Sequence, residues 1–104
     1  MAFTKINYDL PLWGEIILTI NMLRSKQDLV CMTDVFKYLR SIDKASNFSW
    51  INPVCNALQK DGFIKVSVEG RRRNISLTTL GNRTALSLIE LNKCLSKKNK
   101  EVEK

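Results

Sequence analysis

From Leu12 onward the apolar positions fall at Leu12, Trp13, Ile16, Ile17, Ile20 and Leu23, the three-and-four spacing of an amphipathic helix. Pro11 suits its first turn, and the polar run Ser25-Lys26-Gln27-Asp28 closes it. Leu18 and Met22 lie off this stripe. Ahead of it, Phe3, Ile6, Tyr8 and Leu10 alternate loosely. Leu29-Val30-Cys31 is too short for a helix and reads as a small strand or an extended connector. Val35, Tyr38, Leu39 and Ile42 then repeat at i, i+3, i+4 and i+7. This second helix takes Thr33 as N-cap, carries Asp34 in its first turn and ends near Ser41 to Asp43. Residues 44–48 form a connector, with Phe48 left open between core and surface. Ser49 is the expected cap of a third helix whose inward positions are Ile51, Val54, Cys55 and Leu58. Pro53 is tolerated there if it falls in the first turn, and Gly62 suits the left-handed position just past the helix end.

The period then changes from helical to alternating. Phe63, Ile64, Val66 and Val68 are aromatic or β-branched, and Ile75 and Leu77 alternate on a returning strand. Between them Glu69-Gly70-Arg71-Arg72-Arg73-Asn74 reads as a polar hairpin tip. Thr78 or Thr79 caps a last helix from about Leu80 to Leu95. The predicted order is helix, short strand, helix, helix, strand, strand, helix: a mainly α protein with a small β-hairpin, of α+β class. Residues 1–96 are expected to form one domain, with 79–95 as its dimerisation helix. The charged residues 97–104 are expected to be a flexible tail.

Two stretches carry a resemblance. Leu58-Gln59-Lys60-Asp61-Gly62-Phe63-Ile64 resembles the end of a recognition helix running into the first wing strand of a winged helix-turn-helix domain. Ile75-Ser76-Leu77-Thr78-Thr79-Leu80-Gly81 resembles the second wing strand running into the last helix. Gly70-Arg71-Arg72-Arg73 stands where that family carries its wing tip. The resemblance, to the broad company of MarR-like and PadR-like regulators, covers roughly residues 12–95. It implies double-stranded DNA as partner, a recognition helix in the major groove and a wing on the minor groove or backbone. The stretch between Leu39 and Trp50 is longer than the family's tight linker.

Opposite the inward face of the third helix stand Ser49, Asn52, Asn56, Gln59 and Lys60. Asn and Gln bond adenine edges bidentately, and Lys reaches guanine or phosphate. Trp50 joins this candidate face at its edge, with burial against the core its expected position. Arg71, Arg72 and Arg73, with Asn74, form the candidate wing contact, because adjacent arginines at a tip repel one another unless an anion is near. Lys37, Arg40 and Lys44 are candidate phosphate contacts.

Composition narrows the reading. The 104 residues suit one domain, and 17 Lys+Arg against 10 Asp+Glu give a net charge of +7. The excess is centred on residues 37–73, with eight basic against three acidic side chains. That favours a polyanionic partner. The chain has no His, which removes the commonest general base and metal ligand. Three cysteines at 31, 55 and 94 form no CxxC pair, so no metal site, catalytic site or cofactor is expected. Pro11, Gly14 and Glu15 interrupt the N-terminal apolar stretch, so neither a signal peptide nor a membrane span is expected. A cytoplasmic protein, nucleoid-associated when bound to DNA, fits best. Small size and Lys/Asn/Ile-rich composition would suit a plasmid or virus gene of a prokaryote or archaeon.

In the last helix Ala85, Leu86, Leu88, Ile89, Leu91 and Leu95 spread over more than half the wheel, wider than packing on one core requires. Leu86 and Ile89, with Leu18 and Met22 of the first helix and help from residues 2–8, are therefore expected to form a two-fold homodimer interface. The function expected is sequence-specific DNA binding as a transcriptional regulator. The alternatives are an architectural or partition (centromere-type) DNA-binding protein of little specificity, a winged-helix protein adaptor, or RNA binding.

Overall fold

A computed structural model describes residues 10–44 and 47–102, apart from the side chains of Phe48 and of residues 96–102. The N-terminal alternation through Phe3, Ile6 and Tyr8, the contribution of residues 2–8 to a dimer, and the place of the Phe48 side chain lie outside the described residues. The elements run α1 (Leu12–Lys26), β1 (Val30–Cys31), α2 (Met32–Ser41), α3 (Phe48–Lys60), β2 (Ile64–Glu69), β3 (Arg72–Leu77) and α4 (Thr79–Val102). The strands form one antiparallel sheet in the order β1-β3-β2. Thus Leu29-Val30-Cys31 contributes a true strand, and β3 is the central one.

Helix α1 is the hub. Ile16, Ile17 and Ile20 are fully buried, and burying each is worth about 1.5–3 kcal/mol. Val35 and Leu39 of α2, Ile51, Cys55 and Leu58 of α3, Ile64 and Ile75 of the hairpin, and Ala85 and Leu88 of α4 complete one core. Two positions expected on inward stripes are exposed. Trp13 is 42% exposed and borders an open groove with Leu58 and Phe63. Ile42 is 37% exposed, because it is the C-cap of α2 and the chain is already turning away.

Several helix ends differ from expectation. Pro11 is the N-cap of α1 rather than a helical residue. Cys31, not Thr33, caps α2: its side chain accepts from the Asp34 N–H, and the Asp34 carboxylate accepts from the Cys31 N–H at 3.1 Å. Asn47, not Ser49, caps α3, its Oδ1 accepting from the Ser49 N–H at 2.9 Å. Pro53 is therefore the sixth helical residue, past the first turn, and has no N–H to offer the Ser49 carbonyl. Helix α4 continues to Val102, so most of the stretch expected as a frayed tail is helical.

Two helices end in the same motif with different residues. At α3 the Phe63 N–H reaches Leu58 O and the Gly62 N–H reaches Gln59 O, with Gly62 at φ +86°. At α2 the Lys44 N–H reaches Leu39 O and the Asp43 N–H reaches Arg40 O, with Asp43 at φ 60°. Aspartate is among the few L residues that tolerate this region.

The start of α4 is pinned to the end of α3. The Thr78 N–H bonds Phe63 O at 3.1 Å, and the Thr78 hydroxyl donates to Gly62 O at 2.6 Å. The same oxygen accepts the Gly81 N–H at 3.0 Å, making Thr78 the N-cap. Gly81 lies against the Phe63 carbonyl so closely that any Cβ would collide with backbone. We expect Gly81→Ala to cost more than about 2 kcal/mol in denaturant unfolding, because backbone rather than a flexible side chain must yield.

Burial pushes the Asp34 carboxyl up. Hydrogen bonds from the Cys31 amide, the Cys31 side chain and Gln27, together with the nearby Arg72 charge, outweigh this and hold it below its ordinary value. A depressed folded-state value stabilises the fold above the unfolded pKa near ~3.9 and loses that contribution as pH falls through the folded value. Asp34→Asn should therefore be less stable than the parent at pH 7, with the gap closing below about pH 4 in thermal melts.

Candidate nucleic-acid interface

The exposed side of α3 forms the centre of the site. Ser49, Asn56, Gln59 and Lys60 are all exposed. Stepped at about 100° per residue, Ser49, Asn56 and Lys60 fall within roughly 40° of one another, along one line of the helix. Trp50 is 57% exposed rather than packed against the core. It lies about 100° from Ser49, on the flank shared with Ala57 and Asp61. Its place on the wheel explains this: Trp50 points roughly 90° away from the inward face that Ile51 and Leu58 turn to the core.

Asn52 departs from the expected role of a free base reader. It is half-buried, and its Oδ1 accepts a hydrogen bond from Arg73 Nη1 at 3.1 Å. Burial pushes the nearby Cys55 thiol up to about 11, against the downward pull of the Arg73 charge, so this buried cysteine stays protonated. Arg73 thus ties the wing to α3 and is half-buried between them.

The arginine triplet does not share one tip. The hairpin turns through Gly70 and Arg71, with Glu69 paired to Arg72. Gly70 has φ +61°, which suits the first position of a two-residue turn. Arg72, Arg73 and Asn74 belong to β3, where successive side chains point to opposite faces. Arg71 projects from the turn, Arg72 is exposed on the outer face within the field of Asp34, and Arg73 faces α3. Asn74, expected at the tip, is 8% exposed in the middle of the sheet, opposite Cys31 and Ser67. Strand alternation was the signal that could have separated these four residues.

Lys37 and Arg40 are exposed on α2, and Lys44 is half-buried in the turn that follows. Of the four residues expected at a dimer interface, Leu18, Met22 and Ile89 line one hollow of about 270 Å³ between α1, α2 and α4. Leu86, 67% exposed, stands one turn before Ile89 on a neighbouring line of α4. Among the described residues no cluster of His, Cys, Asp and Glu could hold a metal ion. No helix there is long and apolar enough to cross a membrane.

No protein-family model matches the sequence, and no curated protein matches it. Solved structures do. The chain is 18% identical to AF1382 of Archaeoglobus fulgidus, over 80% of this chain and 86% of that one, with a TM-score of 0.68. It is 18% identical to F-93 of SSV1, over 88% and 98%, with a TM-score of 0.65. It is 20% identical to MepR, a transcription regulator of the Staphylococcus aureus multidrug efflux pump MepA, over 88% of this chain and 64% of that one, with a TM-score of 0.64. The chain has the winged helix-turn-helix fold, with β2–β3 as its hairpin wing.

If Asn52 holds Arg73, the two should act as one unit. In a double-mutant cycle with Asn52→Ala and Arg73→Ala we expect a coupling of about 1 kcal/mol in unfolding free energy; additive losses would show that the bond contributes nothing.

Proposed function

We propose that the protein is a double-stranded DNA-binding regulator that works as a homodimer. The observation that carries this reading is the juxtaposition of an exposed polar α3 face with a basic hairpin, joined by the Asn52–Arg73 bond. A helix of about this diameter fits the major groove, where Asn56 and Gln59 suit adenine and Lys60 suits guanine or phosphate. Arg71 and Arg72 extend the positive surface to the adjacent backbone or minor groove, and Lys37 and Arg40 add phosphate contacts. Regulation on this reading is steric: an occupied operator blocks or recruits polymerase. No side chain is assigned a catalytic role.

Selection of bound sequences from a random duplex library at two salt concentrations tests it. A palindrome with half-sites about 34 Å apart supports a dimeric sequence reader. Binding without an enriched motif would replace that with an architectural role, and no binding at either salt would overturn DNA as the partner. Replacing Arg71 and Arg72 with Ala should flatten the salt slope of DNA binding by up to about 2 units; an unchanged slope removes the wing from the interface.

The proposed two-fold axis runs along α4, where Leu80, Leu86 and Leu91 are all about half exposed or more. Leu80 and Leu91 share one line of the helix and Leu86 lies roughly 130° round from them, so apolar groups are left on two sides of α4. Light scattering should give twice the chain mass of 12.0 kDa, and Leu86→Glu should return it to the single-chain value. A monomeric parent would end the dimer reading.

A further inference from the structure

Trp13, Val54, Ala57, Leu58 and Phe63 border an open groove of about 440 Å³ along one flank of α3. Ala57 lies roughly 140° round the helix from Asn52, so this is the flank that the wing does not reach. Trp13 and Ala57 are exposed, and Val54 and Phe63 are half-buried. An aromatic side chain brings a large apolar area, so a tryptophan left open beside other apolar groups offers an occupant much to cover. Asp61, which is exposed, supplies a carboxylate at the rim.

The described chain begins at Leu10, which is buried beside Gly14 at the start of α1. Trp13 follows three positions later, so the nine residues ahead of Leu10 set out next to the groove. Nine residues can span about 30 Å, ample to turn back and enter it. Their chemistry matches its walls: Phe3 is aromatic, and Lys5 is opposite in charge to Asp61. Residues two apart on an extended chain share a side, so Phe3 and Lys5 can be presented together. We propose that the groove is the docking site of this chain's own N-terminal segment, with Phe3 among Trp13, Leu58 and Phe63 and Lys5 paired with Asp61. An exposed ion pair adds little by itself, so Phe3 is the anchor and Lys5 sets the direction of the segment. Phe3 then serves α3 and not a seam between copies. Val54, Ala57 and Leu58 all belong to α3, so the docked segment braces the flank opposite the Asn52–Arg73 bond. Its effect on DNA binding rests on the DNA-binding reading, whereas the docking itself does not.

The test reads Trp13 fluorescence in the full chain. Trp50→Phe leaves Trp13 as the single tryptophan. In that background Phe3→Ala should shift Trp13 emission to longer wavelength and raise its quenching by acrylamide. Lys5→Asp and Asp61→Lys should each do the same more weakly, and the two together should return both signals towards the parent. Unchanged signals in Phe3→Ala, or charge reversals whose effects simply add, would overturn the proposal. An excess of chain that keeps Phe3 but carries Trp13→Phe and Trp50→Phe should leave the quenching of the Phe3→Ala chain as it is. Recovered protection would show that a second copy supplies the segment, and would overturn docking within one chain. With Trp50 intact, Phe3→Ala should weaken DNA binding without altering the sequence selected; undiminished binding would overturn the bracing role. Fluorescence changes as expected in a protein that selects no DNA would leave the docking site standing and remove its effect on DNA.

Discussion

The carbonyls of Gly62 and Phe63 hold the architecture at its tightest point. Three elements meet there: α3 ends, β2 begins, and α4 starts after the hairpin has returned. Thr78 bonds both carbonyls and caps α4 with the same hydroxyl. Gly81 allows the α4 backbone to lie directly on the Phe63 carbonyl. A hairpin alone is marginally stable in water, but one whose two ends are tied to the same helix terminus cannot slide. The register of β2 on β3 and the placing of α4 on α1 both follow from this knot.

A second tie acts at the far end of the hairpin. Arg73 reaches across to Asn52, so the wing is fastened to α3 from within the sheet as well as at its base. This leaves a division of labour among three adjacent arginines. One projects from the turn, one lies on the outer face near Asp34, and one is spent on holding the wing. Of the three, only Arg71 and Arg72 are fully exposed, so the hairpin presents less free charge than the run of arginines alone suggests.

Exposed aromatic and aliphatic groups occur on several elements, Trp50 of α3 and Val68 of β2 among them. Trp13 of α1 borders a groove of about 440 Å³ with Pro53, Val54, Ala57, Leu58, Asp61 and Phe63. Leu80, Leu86 and Leu91 are exposed on α4, whose Leu88 packs into the core. The core is complete within one chain, since α1 is enclosed by every other helix and by the sheet. The uncovered apolar groups are thus a feature of the outside and not of a deficient interior.

The element order, the helical stripes of Ile16, Ile17 and Ile20 and of Ile51, Cys55 and Leu58, the Gly62 terminus and the alternation of Ile75 and Leu77 were all legible in the sequence. Each follows from a local rule of periodicity or backbone freedom, which acts over a few residues and needs no partner. What tertiary structure decided was everything requiring two distant segments at once. Cys31 displaced Thr33 as a cap because β1 pairs with β3 and positions the chain for it. Asn52 is bonded across to the hairpin because Arg73, 21 positions later, lies beside it. Asn74 left the tip for the middle of the sheet because the turn closes on Gly70 and Arg71 alone, so that Val68 pairs with Arg73 and Ser67 with Asn74. Side-chain type and spacing set what each residue can do, but only the packed sheet determines which neighbour it does it with.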